Sequence, residues 1–191
     1  MVAGRSRYDV ARAKSANAIV DFDYFSEQEN WGKRLFFIPR TLDNGEQVHC
    51  AGCHTTEAFV GPLLTPPFST SNASNNGLDL LSTNDLGVYE TTGNPNDVGK
   101  FKVPSLVNIA VTAPYMHDAR FATLEEVIAH YSQGIQNHNN LAPPLRGPND
   151  QALQFNFSEA EAQALRSFLH TLTDHALLTD ERVLDPFIRA Q

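Results

Sequence analysis

Cysteine is almost missing from this chain: its 191 residues hold two. A fold stapled by several disulfides is therefore excluded. Methionine is equally scarce, at two, and tryptophan occurs once. No stretch approaches the roughly 18 consecutive apolar residues of a membrane-spanning helix, so no membrane span is expected. Basic charge is short as well. Fourteen Lys and Arg stand against 22 Asp and Glu, a formal net charge of -8, with no basic block. That balance argues against nucleic acid as a partner, because such binding rests on cations facing phosphates. The first residues, Met1 to Tyr8, contain no apolar run of signal-peptide length. The chain is thus either cytoplasmic or exported by a leader outside this sequence. What is present is globular in composition. Hydrophobic residues make up 41% and charged residues 19%, in a length that suits one domain with a real core.

The two cysteines are placed with purpose. They form the string Cys50-Ala51-Gly52-Cys53-His54, the C-x-x-C-H pattern of c-type haem attachment. Two thiols at this spacing add across the two vinyl groups on one porphyrin edge, and the adjoining imidazole becomes an axial ligand of the iron. Small residues between the thiols let the backbone pass close to the ring. A thioredoxin-like redox pair would need a surrounding βαβ pattern, and a zinc site would need a second cysteine pair. Neither is found in the sequence. Covalent haem attachment takes place outside the bacterial cytoplasm, so the motif favours export to the periplasm.

Three capping boxes mark helix starts. Ser26 with Glu29 predicts a helix from Ser26 to near Pro39, with Trp31, Leu35 and Phe36 turned into the core. Thr123-Leu124-Glu125-Glu126 opens a second, running to about Ser132 and closed by Gly134. Ser158-Glu159-Ala160-Glu161 opens the strongest, about 158–174, with Ala162, Leu165, Phe168, Leu169 and Leu172 inward. A short helix is expected at Ser105 to Ala110. Residues 1–25 read as a lead-in or interdomain segment, with Met1 to Tyr8 the tail of a helix that begins upstream. Residues 26–191 read as the domain proper. The stretch from 55 to 100, with Pro62, Pro66, Pro67, Asn75, Asn76 and Gly77, is loop chemistry, as is 136–157. Irregular chain of that length needs something to pack on, and a haem offers it. No segment reads as a strand, so the class expected is all-α with long irregular loops.

Phe101-Lys102-Val103-Pro104-Ser105-Leu106-Val107-Asn108 leads into Thr112-Ala113-Pro114-Tyr115-Met116-His117-Asp118 and then Phe121-Ala122-Thr123-Leu124-Glu125-Glu126-Val127. Together with the C-x-x-C-H, this closely resembles the C-terminal haem domain of the bacterial dihaem cytochrome c peroxidase and MauG family, over roughly residues 26–175. The resemblance implies a cytochrome c-like haem domain. It also implies the second half of a longer, exported, two-haem oxidoreductase, with Met1 to Asp9 resembling the end of the preceding domain and the start of the linker. In that family one haem splits peroxide, the other passes electrons, and a calcium ion lies between them. Expected partners are a second haem domain of the same longer protein, a small redox protein as electron donor, and hydrogen peroxide at the partner haem. Peroxidase activity would belong to the whole, and this chain alone would show little turnover.

The motif gives Cys50 and Cys53 the thioether bonds and His54 the proximal position on the iron. The sixth ligand stays open. By resemblance, Tyr131 stands where the peroxidases have methionine and MauG-like members have tyrosine. A phenolate lowers the iron potential, whereas a thioether raises it. Met116 is the chief rival, since small monohaem cytochromes use a downstream methionine. His117 and His130 are further candidates, with His117 better suited to the surroundings of the calcium. The resemblance places that calcium on the backbone carbonyls of Thr112 and Pro114, shared with the other domain. His49, His138, His170 and His175 carry no assigned chemistry. Two departures stand out: Ala119 where the family usually has glycine, and Val107 where it often has arginine. The alternative reading is a self-standing monohaem cytochrome c that carries electrons and is not an enzyme. A third is a five-coordinate haem that reacts sluggishly with peroxide.

Overall fold

The computed structural model describes residues 4–55, 59 and 73–182. Most of the regular structure is helical, and two helices dominate it. Helix α1 is Arg7–Arg12, α2 Glu27–Phe37, α3 Tyr89–Thr92, α4 Leu124–Ala129, α5 Glu159–His170 and α6 His175–Leu178. All three expected capping boxes form, at Ser26, Thr123 and Ser158. At α2, Ser26 Oγ accepts from the Glu29 amide at 3.2 Å while Glu29 Oε2 accepts from the Ser26 amide at 2.8 Å. The helix stops where Ile38, preceding Pro39, turns extended. A fourth box, Ser6 with Asp9, starts α1. The chain around Tyr8 is therefore the beginning of a helix and not the tail of one.

The all-α expectation needs correcting on one point. Two short antiparallel ribbons are present: β1 (Arg40–Thr41) pairs with β2 (Gln47–Val48), and β3 (Ala73–Ser74) with β4 (Phe101–Lys102). Each strand is two residues long, too short to show alternation in sequence. The expected helix at Ser105–Ala110 is also absent. Asn108 takes a left-handed conformation there, and a single 3-10 turn, Ile109–Val111, follows. Asn108 is held in place by the end of α5, since its amide donates to the Leu172 carbonyl at 3.0 Å and its Oδ1 accepts from the Asp174 amide at 2.7 Å. Helix α4 does not run on regularly to Ser132. It widens into a π-turn, His130–Gly134, closed by an extended Ile135 rather than by Gly134.

The main core is aromatic. Tyr8, Phe22, Phe36, Phe59 and Phe168 are buried together, with Phe36 and Phe168 centroids 5.3 Å apart and Tyr8 and Phe59 4.9 Å apart. Tilted and edge-on ring pairs of this kind contribute about 0.5–1.5 kcal/mol each beyond the area they bury. Tyr8, Ala11, Phe22 and Phe25, all within residues 1–25, belong to this core. The inward stripe of α5 is as expected at Leu165, Phe168 and Leu169, but the helix ends at His170 rather than near 174, and Leu172 is buried just beyond it. That of α2 holds at Phe36 and at the partly buried Leu35, but Trp31 is exposed, and the helix also buries Asn30, Gly32 and Lys33. The polar members of that face are satisfied by the loop before the helix. Asn30 exchanges hydrogen bonds with both backbone groups of Phe22, and Lys33 Nζ donates to the carbonyls of Ala18, Ile19 and Val20. A second cluster gathers Val48, Ile135, Leu141, Leu145, Leu153 and Phe155, and Cys50 packs against both.

Candidate functional site

The chain leaves β2 through an extended His49 and turns once in a 3-10 helix, Cys50–Gly52. The Cys50 carbonyl accepts from the amides of Cys53 and His54, at 3.2 and 3.1 Å. This turn brings both thiols and the imidazole onto one short piece of backbone. No disulfide joins the two cysteines. Burial pushes the Cys50 thiol up to about 12, with Cys53 adding to the effect, and raises Cys53 as well.

His54 is oriented from behind. Its Nδ1 lies 2.8 Å from the Phe59 carbonyl. A carbonyl only accepts, so this contact favours the neutral tautomer with its proton on Nδ1, the one that leaves the Nε2 lone pair for a metal. Burial lowers the ring's proton affinity, which the Phe59 and Pro104 carbonyls oppose. Phe36 borders the ring, with centroids 6.2 Å apart.

The two rival sixth ligands meet at one side chain. Asn76 Nδ2 is 3.4 Å from the Tyr131 hydroxyl and 3.5 Å from Met116 Sδ. Tyr131 sits on the π-turn after α4. Burial pushes its phenol up to about 12, against the hydrogen bond from Asn76. Met116 lies in a turn with φ +72°, just after the cis peptide Ala113-Pro114. Arg120 ties this turn to the Asn76 segment, bonding Asp118 on one side and Asp79 and the Leu78 carbonyl on the other.

The remaining histidines divide clearly. His130 is buried, with Nε2 3.1 Å from the Asn76 carbonyl and its ring 5.1 Å from that of Tyr131. His117 is exposed and stacks on Phe101 at 3.7 Å. His138 is buried and accepts the Asn140 amide on Nδ1. His49 is half-buried, and His170 and His175 are exposed. Thr112 and Pro114 are exposed, and among the described residues neither carbonyl accepts a backbone hydrogen bond. No cluster of three His, Cys, Asp or Glu suited to a metal occurs among the described residues. Ala119 has φ +60°, so the position where a glycine was expected is left-handed. Val107 is half-buried and makes no polar side-chain contact. Asn76 is the residue that sequence reasoning passed over: Asn-Asn-Gly announces a turn, and nothing in it announces a shared donor.

Residues 26–176 match the di-haem cytochrome c peroxidase family. The chain belongs to that family. It is 52% identical over 101 residues to the cytochrome-c peroxidase IdrP1 of Pseudomonas sp. (strain SCT), across 52% of this chain and 25% of the relative. It is 36% identical over 141 residues to IdrP2 of Denitromonas iodatirespirans, covering 71% and 35% respectively. The methylamine utilization protein MauG of Methylorubrum extorquens is 32% identical over 127 residues, 64% of this chain and 30% of that one. Among solved structures, a MauG-like protein associated with microbial copper homeostasis superposes with a TM-score of 0.73 at 29% identity, across 96% of this chain and 52% of the other. The chain thus spans about a quarter to a third of these curated relatives and about half of the solved one. No helix among the described residues is long and apolar enough to cross a membrane.

Proposed function

We propose that this chain is the electron-relay haem domain of a peroxidase-type or MauG-like oxidoreductase, working beside a second haem domain that reacts with peroxide. The observation that carries this reading is the pairing of a C-x-x-C-H turn with an imidazole whose Nδ1 is fixed on the Phe59 carbonyl. The residues fit a covalent haem. Cys50 and Cys53 would hold it as thioethers, His54 would ligate through Nε2, and Tyr131 would take the sixth position. When bound, the haem supplies a one-electron iron couple. The protein's part is to hold His54 in one tautomer and to surround the motif with the aromatic core and the second cluster. Calcium on the Thr112 and Pro114 carbonyls and a periplasmic location belong to the same reading. A small redox protein is the expected donor.

A second reading is kept alive by one distance. Met116 Sδ stands as close to Asn76 as the Tyr131 hydroxyl does, within 0.1 Å. Ligation by the Met116 thioether would favour the alternative, a self-standing monohaem electron carrier. The test is an optical titration with hydrogen peroxide of the chain produced in a periplasm with haem-maturation machinery. A relay domain gives a six-coordinate spectrum that peroxide leaves unchanged. Rapid turnover by this chain alone would contradict the assignment.

A further inference from the structure

Asn76 touches three of the four side chains that compete for the sixth position. Its Nδ2 faces the Tyr131 hydroxyl and Met116 Sδ, and its backbone carbonyl meets His130 Nε2. The segment that carries it is fixed from several sides. Asn75 Oδ1 accepts from the Gly77 amide at 2.8 Å, the Gly77 carbonyl accepts from the Gln136 amide at 2.7 Å, and the Asn75 carbonyl accepts from the Ala142 amide at 2.9 Å. Gly77 has φ +69°, and a Cβ there would meet the Gln136 carbonyl and Ile135 at 2.6 Å. Only glycine allows this approach. The backbone that carries the Asn76 amide is thus fixed on several sides, which sets where its side chain starts, as a positioning group needs.

Resting on the haem reading above, we propose that Asn76 is a positioning residue that selects the sixth ligand, favouring the Tyr131 oxygen over the Met116 sulfur. The preference follows from acceptor strength. An N–H donated to an anionic oxygen is roughly twice as strong as one between neutral groups, and a thioether sulfur is a weak acceptor. A phenolate oxygen keeps lone pairs for both a metal and the amide. Its deprotonation releases one proton to solvent and moves no electron. His130 is drawn away from competition, because its Nε2 is engaged by the Asn76 carbonyl.

The experiment uses the whole chain, exported with haem-maturation machinery, as wild type, Asn76→Leu and Asn76→Asp. Mass under denaturing conditions first establishes that haem is covalently attached. Resonance Raman and near-infrared spectra of the ferric protein then identify the sixth ligand, and a redox titration gives the potential. The wild type is expected to show phenolate ligation. In Asn76→Leu the phenolate-to-thioether ratio should fall by about tenfold or more, the worth of one hydrogen bond to a charged group, and the potential should rise. Asn76→Asp keeps the side-chain volume and the His130 contact but removes both donors. It should shift in the same direction, and it decides the matter if the leucine variant fails to fold. Haem-loaded variants with the wild-type ligand signature and potential would overturn the role of Asn76, and so would a thioether-ligated wild type. A wild type that carries no haem would overturn the underlying reading instead.

Discussion

Gly32 on α2 and Ala164 on α5 mark where the two principal helices cross. A Cβ added to Gly32 would run into the Ala164 carbonyl and come within 2.9 Å of Phe168 Cβ. The carbonyl is backbone and cannot rotate away. Gly32→Ala is therefore expected to force the helices apart and cost about 3 kcal/mol, the upper range for overpacking a core. Chemical denaturation of the variant checks this, and an unchanged midpoint would contradict the tight crossing.

Lys33 is fully buried, with its ammonium on three carbonyls and 4.3 Å from the centre of the Phe22 ring. Lys33→Met keeps much of the stem but leaves the carbonyls of Ala18, Ile19 and Val20 without this donor. A loss of about 2–4 kcal/mol is expected, as for other broken buried polar networks. Thermal unfolding reads the loss, and faster proteolysis near residues 18–20 should accompany it.

Asp174 joins the two ends of the described chain. One oxygen accepts from the amides of Gly4 and Arg5, both at 3.1 Å, and the other from the Leu177 amide at 2.9 Å. Burial raises its proton affinity, but these hydrogen bonds outweigh that and hold it below the usual carboxylate value. The folded state therefore binds fewer protons here than the unfolded state. The resulting stability is complete above the unfolded value of about 3.9 and fades as pH falls through the lower folded value. Asp174→Asn is expected to cost about 1–3 kcal/mol at neutral pH. Its difference from wild type should shrink under acid, as unfolding measured from pH 7 down to pH 2 would show.

Ala119 occupies a left-handed position with φ +60°. Alanine pays a steric cost there that glycine avoids, partly offset by the greater freedom of glycine when unfolded. Ala119→Gly is expected to stabilise by about 0.5–1 kcal/mol. A destabilised variant would show that the turn holding Met116 depends on the alanine methyl.

Much of this was legible before the structure. Capping boxes are local chemistry, so Ser26, Thr123 and Ser158 announced their helices. The box at Ser6 escaped notice because aspartate, not glutamate, closes it. The C-x-x-C-H pattern is likewise local. What stayed hidden depends on distant partners. The buried face of α2 was misread through Trp31 because Asn30 and Lys33 go inward only when the 18–22 backbone satisfies them. Asn108 breaks an expected helix to meet the end of α5. Asn76 gains its place between Tyr131 and Met116 from contacts reaching 40 and 55 residues along the chain.

The most direct test of the account is the mass of the exported chain under denaturing conditions, with Cys50→Ala and Cys53→Ala beside it. The account predicts one haem that stays with the wild-type polypeptide after unfolding. Its reduced pyridine spectrum should be that of a haem with both vinyls saturated, and each variant should show the spectrum of a single thioether or lose the haem. A wild-type chain at its bare polypeptide mass, made alongside a control cytochrome that does receive haem, would contradict the assignment.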